Sequence, residues 1–266
     1  MTIAPLVILC VVLGLAVGSF LNVVIYRVPE RRSVVRPRSA CPACGEPISP
    51  RDNIPVLSWV VLRRRARCCG APISVRYPLV EAGTAVAFGG VALWRGYDAA
   101  LPAFLYLAAI SIALAVIDLD VRRLPDVIVL PSYPVAAVLL AVPALVDGSP
   151  AVAVRAAVGG AALFALFFAL WFFSLLLLRK EAMGLGDVKL SGVLGMYLGW
   201  LSWAHLVVGG FLGFMVGGLV GVALMAVGRV GRKSMVPYGP SMLVGAWLAV
   251  PFARPIADWY LGAAGF

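Results

Sequence analysis

Two aspartates, Asp118 and Asp187, are the residues of this chain best suited to chemistry. Asp118 ends the apolar run 111–117, and Asp187 follows Gly184-Leu185-Gly186 and opens another apolar segment. Acidic side chains at the edge of a membrane are costly to place there, so two of them beside basic loops indicate a functional pair. In such a pair, one carboxylate can take a proton from water while the other donates to a scissile carbonyl.

The helix ends on which these aspartates are expected predict different proton affinities. Asp118 would face the negative end of a helix dipole, whereas Asp187 would lie at a helix N-terminus, which favours an anion. Two carboxyl groups in such different surroundings have different pKa values. At one pH, one of them can then act as an acid and the other as a base. A structural interpretation competes with this one, because Asp is a favoured helix cap. Capping would explain Asp126, after Pro125, better than it explains Asp187, and Asp120 could be a solvated partner of neighbouring arginines.

The composition predicts an all-α, polytopic membrane protein. The chain has 266 residues, of which 62% are apolar and 13% charged, whereas a soluble domain has about 45–50% apolar and about 25% charged residues. A membrane-spanning helix needs about 20 apolar residues. Eight segments approach this length: 3–26, 78–95, 102–118, 127–146, 152–178, 189–203, 205–228 and 240–260. The sixth is short and rich in glycine, so it could be tilted, broken or re-entrant.

The distribution of Lys and Arg predicts the orientation. Of 22 basic residues, 19 fall on one side: eleven between Arg27 and Arg76, followed by Arg122, Arg123, Arg179, Lys180, Lys189, Arg229, Arg232 and Lys233. Only Arg95, Arg155 and Arg254 fall on the other. By the positive-inside rule the basic side is cytosolic, so both termini are expected on the outer side of the membrane. The first span lacks the features of a cleaved signal peptide and is expected to be retained. Basic residues spread over membrane-flanking loops favour contact with anionic lipid over nucleic acid.

Residues 27–77 form the one sizeable cytosolic insertion, and their cysteines indicate a metal site. About 50 residues cannot build much of a core without a metal or a partner. Cys41 and Cys44 form a C-x-x-C, and Cys68 and Cys69 follow. In the reducing cytosol such cysteines are metal ligands more often than disulfides.

Zinc favours four tetrahedral ligands, but adjacent cysteines rarely aim both sulfurs at one ion. We therefore predict a zinc site of Cys41, Cys44 and Cys69, with Cys68 as a candidate fourth ligand. A vestigial site with free thiols is the alternative. Cys10, inside the first span, is expected to be a small packing residue. His205 is expected to be an interfacial polar residue on the outer side.

Six motifs, in order, resemble those of the type IV prepilin leader peptidases, membrane aspartyl proteases of the Gly-x-Gly-Asp class. The resemblance covers nearly the whole chain, so it is specific. The motifs are Gly18-Ser19-Phe20-Leu21-Asn22-Val23-Val24-Ile25-Tyr26-Arg27, Asp52-Asn53-Ile54-Pro55 with Leu57-Ser58-Trp59, Ile73-Ser74-Val75-Arg76-Tyr77-Pro78-Leu79-Val80-Glu81, Leu124-Pro125-Asp126, Gly184-Leu185-Gly186-Asp187-Val188-Lys189-Leu190 and Pro237-Tyr238-Gly239-Pro240.

The resemblance implies a fold of packed transmembrane helices in which Asp118 and Asp187 are catalytic. Asp118 is the match because the family's first aspartate ends the third helix, eight residues before the Asp of Leu-Pro-Asp. The implied substrates are prepilins and pseudopilins, whose basic leader lies in the cytosol and is removed after a glycine. No cofactor is implied for this cleavage, and the implied location is the bacterial cytoplasmic membrane, with Asp118 and Asp187 at its cytosolic face.

The resemblance also implies a second activity. Family members with the large cytosolic insertion often N-methylate the new amino terminus with S-adenosylmethionine. This chain departs from the family's second C-x-x-C, because position 66 is Ala and the other cysteine is Cys68. A peptidase without methylation is therefore the alternative. Glu81 is either a contributor to methylation or an interfacial polar residue, and no nucleotide-binding fingerprint marks a cofactor site.

This interpretation divides the chain into a first transmembrane helix (1–26), the cytosolic insertion (27–77) and a peptidase core (78–266). Two other classes compete with it. A cation-coupled transporter would carry its acids near the bilayer midplane, on discontinuous helices. A non-enzymatic assembly factor of a secretion machine would not need the aspartates.

Overall fold

The structure is a computed structural model that describes residues 2–179, 183–228 and 237–264. Lys180, Arg229, Arg232 and Lys233, which the charge pattern assigns to the cytosolic side, lie outside the described residues. Within those ranges the fold is helical, and the only β-type pairing consists of isolated bridges. The helices are α1 (Ala4–Arg27), α2 (Leu57–Val61), α3 (Arg76–Arg95), α4 (Leu101–Val121), α5 (Asp126–Val146), α6 (Pro150–Leu178), α7 (Leu185–Leu201), α8 (Trp203–Ala226) and α9 (Gly239–Ala263).

All-α architecture is confirmed, and each predicted span coincides with one long helix. Five of these helices are long and apolar enough to cross a membrane: α1, α4, α5, α6 and α8. Helices α3, α7 and α9 are weaker candidates for membrane spans. Helix α7 has only 17 residues, and α3 and α9 contain charged side chains, such as Glu81 and Arg254. Helix α7 is unbroken over its whole length.

The chain divides into two compact units, residues 1–113 and 114–266. In the first unit, α1 packs closely on α3. A Cβ on Gly14 would lie 2.7 Å from Ala85 Cα, and one on Gly18 would lie 2.7 Å from Glu81 Cα. Small residues four apart allow this close helix contact, as in other membrane proteins.

Glu81 connects the insertion to these two helices. Its side chain is buried, and Oε2 accepts a hydrogen bond from the backbone N–H of Val56 at 2.7 Å. Ser19 and Asn22 of α1 also interact with this carboxylate. Val56 has a positive φ of 60°, which is a costly conformation for a β-branched residue. Glu81 thus holds a strained turn of the insertion against α1 and α3.

In the second unit, α7 is the central helix and packs against α5, α6, α8 and α9. A helix surrounded by others is apolar on all sides, which explains its buried and glycine-rich sequence. Arg155 closes its C-terminal end by donating to the carbonyls of Gly199 and Trp200, both at 2.7 Å. His205 is buried, and its Nδ1 lies 2.7 Å from Ser202 Oγ at the start of α8. This packing fixes the position at which α7, and with it Asp187, begins.

Candidate active site

Asp118 lies in the last turn of α4 and is bound by the first residue of α9. Its side chain is 4% exposed. Its Oδ2 accepts a hydrogen bond from the backbone N–H of Gly239 at 3.1 Å, although the two residues are 121 positions apart in the chain. The first N–H groups of a helix have no partner within the helix, so they readily bind an anion. The N-terminus of α9 therefore supports Asp118.

Asp187 is the third residue of α7 and is 8% exposed. Its Oδ2 accepts a hydrogen bond from the backbone N–H of Gly184 at 3.3 Å. Asp187 is not the N-cap residue that the structural interpretation expected: Gly184 is the N-cap, and Asp187, three residues later, binds back to its N–H. A capping contact occupies only part of a carboxylate, which can accept about four hydrogen bonds, so it leaves Asp187 able to do chemistry.

The two aspartates lie near enough for the charge of Asp118 to act on the carboxyl group of Asp187. The expectation of opposed electrostatic settings is wrong in one respect. Asp118 does end a helix, but its carboxylate meets the N-terminus of another helix, α9. Both aspartates thus accept a hydrogen bond from a glycine N–H at or just before a helix start. The sequence could not show this, since α4 and α9 meet only in the folded chain.

Leu124 packs between Gly239, whose N–H binds Asp118, and Gly186, which precedes Asp187. A Cβ on Gly239 would lie 3.2 Å from Leu124 Cδ2 and 2.9 Å from Asp118 Oδ2, and a Cβ on Gly186 would lie 2.9 Å from Leu124 Cβ. Real Cβ atoms hardly ever approach other atoms so closely, so a side chain at position 186 would displace Leu124 and one at position 239 would displace the Asp118 carboxylate. The leucine of Leu124-Pro125-Asp126 therefore sets the spacing at the carboxylate pair.

Asp126 has a different role from the predicted one. Helix α5 starts at this residue, but no side chain caps its N-terminus. Instead, the carboxylate pairs with Lys189 Nζ at 2.7 Å. Tyr133 of α5 donates a hydrogen bond to the carbonyl of Lys189 at 2.7 Å. Two contacts from α5 thus fix the first turn of α7, two residues beyond Asp187.

The cysteines of the insertion form a second site within the first unit. The four sulfurs of Cys41, Cys44, Cys68 and Cys69 all lie within 4.8 Å of one another. Separations are 3.7 Å for Cys41–Cys69 and 3.3 Å for Cys44–Cys68. A zinc ion with Zn–S distances of about 2.3 Å requires sulfurs about 3.8 Å apart. The four thiols therefore fit a tetrahedral zinc, and Cys68 contributes its sulfur despite being adjacent to Cys69.

A repeat of 25 residues explains how this cluster forms. Cys44-Gly45-Glu46-Pro47-Ile48-Ser49 corresponds to Cys69-Gly70-Ala71-Pro72-Ile73-Ser74. The turns are alike: Gly45 N–H binds Cys41 O and Gly70 N–H binds Ala66 O, both at 2.8 Å. Both glycines have positive φ, 75° and 69°. Ala66 therefore occupies the place of Cys41, and Cys68 supplies the missing sulfur from two residues further along. The repeat is visible in the sequence and could have predicted this geometry.

The turn at 41–45 also lowers the pKa of the Cys41 thiol. Hydrogen bonds from the backbone of Ala43 and then Cys44 lower the pKa of Cys41 to about 6. Since the thiolate is the form that binds a metal, this turn favours the ligand state of Cys41. The hydrogen bond with Cys44, followed by burial, instead raises the pKa of Cys68 to about 12. Cys10 takes no part in the cluster and is buried in α1, as expected of a packing residue.

The fold and the first of these sites define a class: a helical, multi-pass membrane protein with a buried pair of interacting carboxylates. A model of the Bacterial Peptidase A24 N-terminal domain matches residues 12–95, and a model of the Type IV leader peptidase family matches residues 105–226. No solved structure matches the chain significantly.

Three relatives bear the name prepilin leader peptidase/N-methyltransferase. The Aeromonas hydrophila protein is 37% identical over 93% of this chain and 91% of its own length. The Pseudomonas aeruginosa protein is 36% identical over 97% and 95%. The Myxococcus xanthus protein is 42% identical over 84% of this chain and 64% of its own length. The chain therefore belongs to the type IV leader peptidase family.

Proposed function

We propose that Asp118 and Asp187 are the carboxylates with which this prepilin leader peptidase cleaves its substrates. The observation that carries the proposal is their juxtaposition: both are buried, both are bound by a glycine N–H, and their charges interact. Family membership supports prepilin processing followed by N-methylation. The substrates are type IV prepilins or pseudopilins, and the pair acts on the bond that joins the leader to the mature protein.

Two carboxylates this close share one proton and titrate as a pair. The ionised carboxylate takes a proton from water, whose oxygen attacks the scissile carbonyl carbon, and the protonated carboxyl donates to the carbonyl oxygen. The C–N bond then breaks as the first carboxyl gives the proton it took from water to the departing amine, while the second carboxylate takes a proton back from a hydroxyl of the collapsing intermediate. Leu124 lies between Gly186 and Gly239 and helps to hold the two carboxyl groups in position. Cleavage requires no cofactor.

The proposed topology places this chemistry at the cytosolic membrane face. We infer eight spans, adding α3, α7 and α9 to the five most apolar helices. Helix α7 is enclosed by other helices, so it needs less apolar surface toward lipid. The termini would then face outward, and the division would be a first helix (1–26), an insertion (27–77) and a peptidase core (78–266). A scissile bond at the cytosolic boundary would lie beside Asp118 and Asp187.

The insertion is proposed to support methylation, with a structural zinc held by Cys41, Cys44, Cys68 and Cys69. S-adenosylmethionine would supply the methyl group, which passes from its sulfonium to the newly exposed amine. The names of the relatives favour this bifunctional enzyme over a peptidase alone. A transporter is not favoured, because the helices that carry the aspartates, α4 and α7, are continuous.

Processing of a prepilin in membranes tests the proposal. Wild-type, Asp118→Asn and Asp187→Asn proteins would be compared, with cleavage read as a mass shift and labelled S-adenosylmethionine present. We expect both variants to lose cleavage by several orders of magnitude, since each removes a proton-transfer group. Asp120→Asn is the matched control, because this exposed aspartate lies on the same helix, and it should cleave normally.

A pre-cleaved pilin supplied to the same membranes measures methylation separately. Both aspartate variants should still label this substrate, which shows that they are folded. Substantial cleavage by either variant would refute the assignment of the pair. Absence of label with wild-type protein would leave the peptidase and remove the second activity.

A further inference from the structure

The hydroxyl of Tyr238 is a buried polar group that no described residue satisfies. Its oxygen is inaccessible to solvent and has no hydrogen-bond partner in the part of the chain that the structure describes. A buried donor without a partner costs about 1–3 kcal/mol, and such groups are rare enough to need an explanation. A hydroxyl left unpaired in the free enzyme is available to bind a group that arrives with the substrate.

Tyr238 lies at the carboxylate pair. It immediately precedes Gly239, whose N–H binds Asp118 at 3.1 Å, and the charge of Asp187 acts on its hydroxyl. Its own carbonyl accepts the N–H groups of Ser241 and Met242, at 3.0 and 3.2 Å. The residue is thus part of the same helix start that supports Asp118.

Aromatic packing fixes the direction of the Tyr238 ring. The ring centroid lies 5.8 Å from that of Phe214 and 6.4 Å from that of Phe167. A Cβ on Gly217 would lie 2.7 Å from Tyr238 Cε2, so only glycine at this place on α8 admits the ring. Apolar neighbours of this kind hold a phenol in place and offer its hydroxyl no partner of their own. The position of the O–H group is therefore set before substrate binds.

We propose that Tyr238 is a further catalytic residue, which donates a hydrogen bond from its hydroxyl to the carbonyl oxygen of the scissile peptide bond. The inference rests on the proposed function of Asp118 and Asp187. When water adds to the carbonyl carbon, the π electrons of the C=O bond move to the oxygen. Tyr238 stabilises that oxygen together with the protonated carboxyl, and keeps its own proton throughout. A fixed donor aimed at developing charge in a water-poor site is an effective means of catalysis.

The competing explanation is that Tyr238 only fills space among Phe167, Phe214 and Gly217. In that case phenylalanine would serve equally well, since it keeps the ring and removes only the unpaired oxygen. Catalysis and packing therefore make opposite predictions for one substitution, Tyr238→Phe.

The test compares cleavage kinetics of wild-type and Tyr238→Phe proteins in detergent or nanodiscs, over a range of prepilin concentrations. We expect kcat to fall on the order of 10²-fold, as when one such donor is removed from other hydrolases. KM should change little, because the bond strengthens mainly as charge develops. Thermal stability should be equal or slightly higher, and pre-cleaved pilin should be methylated normally. Tyr260→Phe is the control, because Tyr260 is exposed on the same helix.

Full kcat for Tyr238→Phe would overturn the inference, and so would a loss confined to KM. A marked loss of stability would also overturn it, because the hydroxyl would then have a structural partner. The same assay applied to Asp118→Asn and Asp187→Asn distinguishes a failure of the proposed function from a failure of the role of Tyr238. If those variants cleave, the proposed function fails. If the two aspartate variants are inactive but Tyr238→Phe cleaves at the wild-type rate, only the proposed role of Tyr238 fails.

Discussion

The cysteine cluster and the carboxylate pair are built in opposite ways. The sulfurs of Cys41 and Cys69 meet across 28 positions of the chain, and each is carried by a tight turn that its own sequence dictates. Asp118 meets its partner Gly239 across 121 positions, and the contact depends on how α4 and α9 pack with Leu124.

This difference predicts different tolerance to change. In a site made by two short turns a sulfur can be supplied from a neighbouring position of the turn, as the place of the Cys68 sulfur in the cluster indicates. A site spaced by interlocking glycines and a leucine cannot move one member without moving the others, because protein interiors are close-packed. The carboxylate pair should therefore respond more sharply to small substitutions than the cysteine cluster does.

Gly239→Ala should have the largest effect. The added methyl would lie 2.9 Å from Asp118 Oδ2 and 3.2 Å from Leu124 Cδ2, so the carboxylate must shift. Misplacement of a catalytic group by about 1 Å can cost on the order of 10²-fold in rate. We expect cleavage to fall by this factor while methylation of pre-cleaved pilin persists, with both rates measured on the same preparation.

Gly218→Ala is the control for that substitution, because a Cβ at Gly218 would contact nothing within 4 Å. It should leave cleavage unchanged. Near-normal cleavage by Gly239→Ala would show that the carboxylate pair tolerates displacement, and the contrast between the two sites would disappear.

Cys68→Ala, with and without Ala66→Cys, tests the cysteine cluster. The single change removes a sulfur, and zinc affinity should fall at least tenfold, since even groups behind the ligands contribute about 10–100-fold. Adding Ala66→Cys should restore binding, because the turn at 66–70 has the same hydrogen bond as the turn at 41–45. Zinc content of purified protein and competition with a chelator measure both effects.

Cys10→Ala should keep its zinc, because Cys10 lies outside the cluster. Full zinc content in Cys68→Ala would show that this thiol is not a ligand. Failure of the double variant to recover zinc would mean that the two turns are not equivalent.

The smallest effect is expected at the ion pair between Asp126 and Lys189. Their side chains are 55% and 31% exposed, so solvent screens the pair and its contribution to stability should stay below about 1 kcal/mol. A double-mutant cycle of Asp126→Asn and Lys189→Gln, read as cleavage rate at low and high salt, should show a coupling of a few-fold that fades with salt. Asp52→Asn, which breaks an exposed pair with Arg67 in the other unit, should not change cleavage. Coupling of tenfold or more would place the pair in the catalytic machinery.

The sequence by itself determined the helices, the two aspartates, the four cysteines and, through its motifs, the family. These are local properties, since hydropathy acts over one span and each motif lies on one turn or helix end. It also contained the 25-residue repeat that accounts for Cys68. The role of Asp126 was misjudged because its partner, Lys189, lies 63 positions away.

Only the tertiary structure decided what surrounds the carboxylates. Helix α9 brings Gly239 to Asp118, Leu124 separates the two glycine-bearing segments, and the Tyr238 hydroxyl has no partner among the described residues. These contacts join residues from four parts of the chain, and each depends on helix packing at a separation that no local pattern encodes. The sequence therefore identified the two aspartates, whereas helix packing determined their hydrogen bonds and their positions.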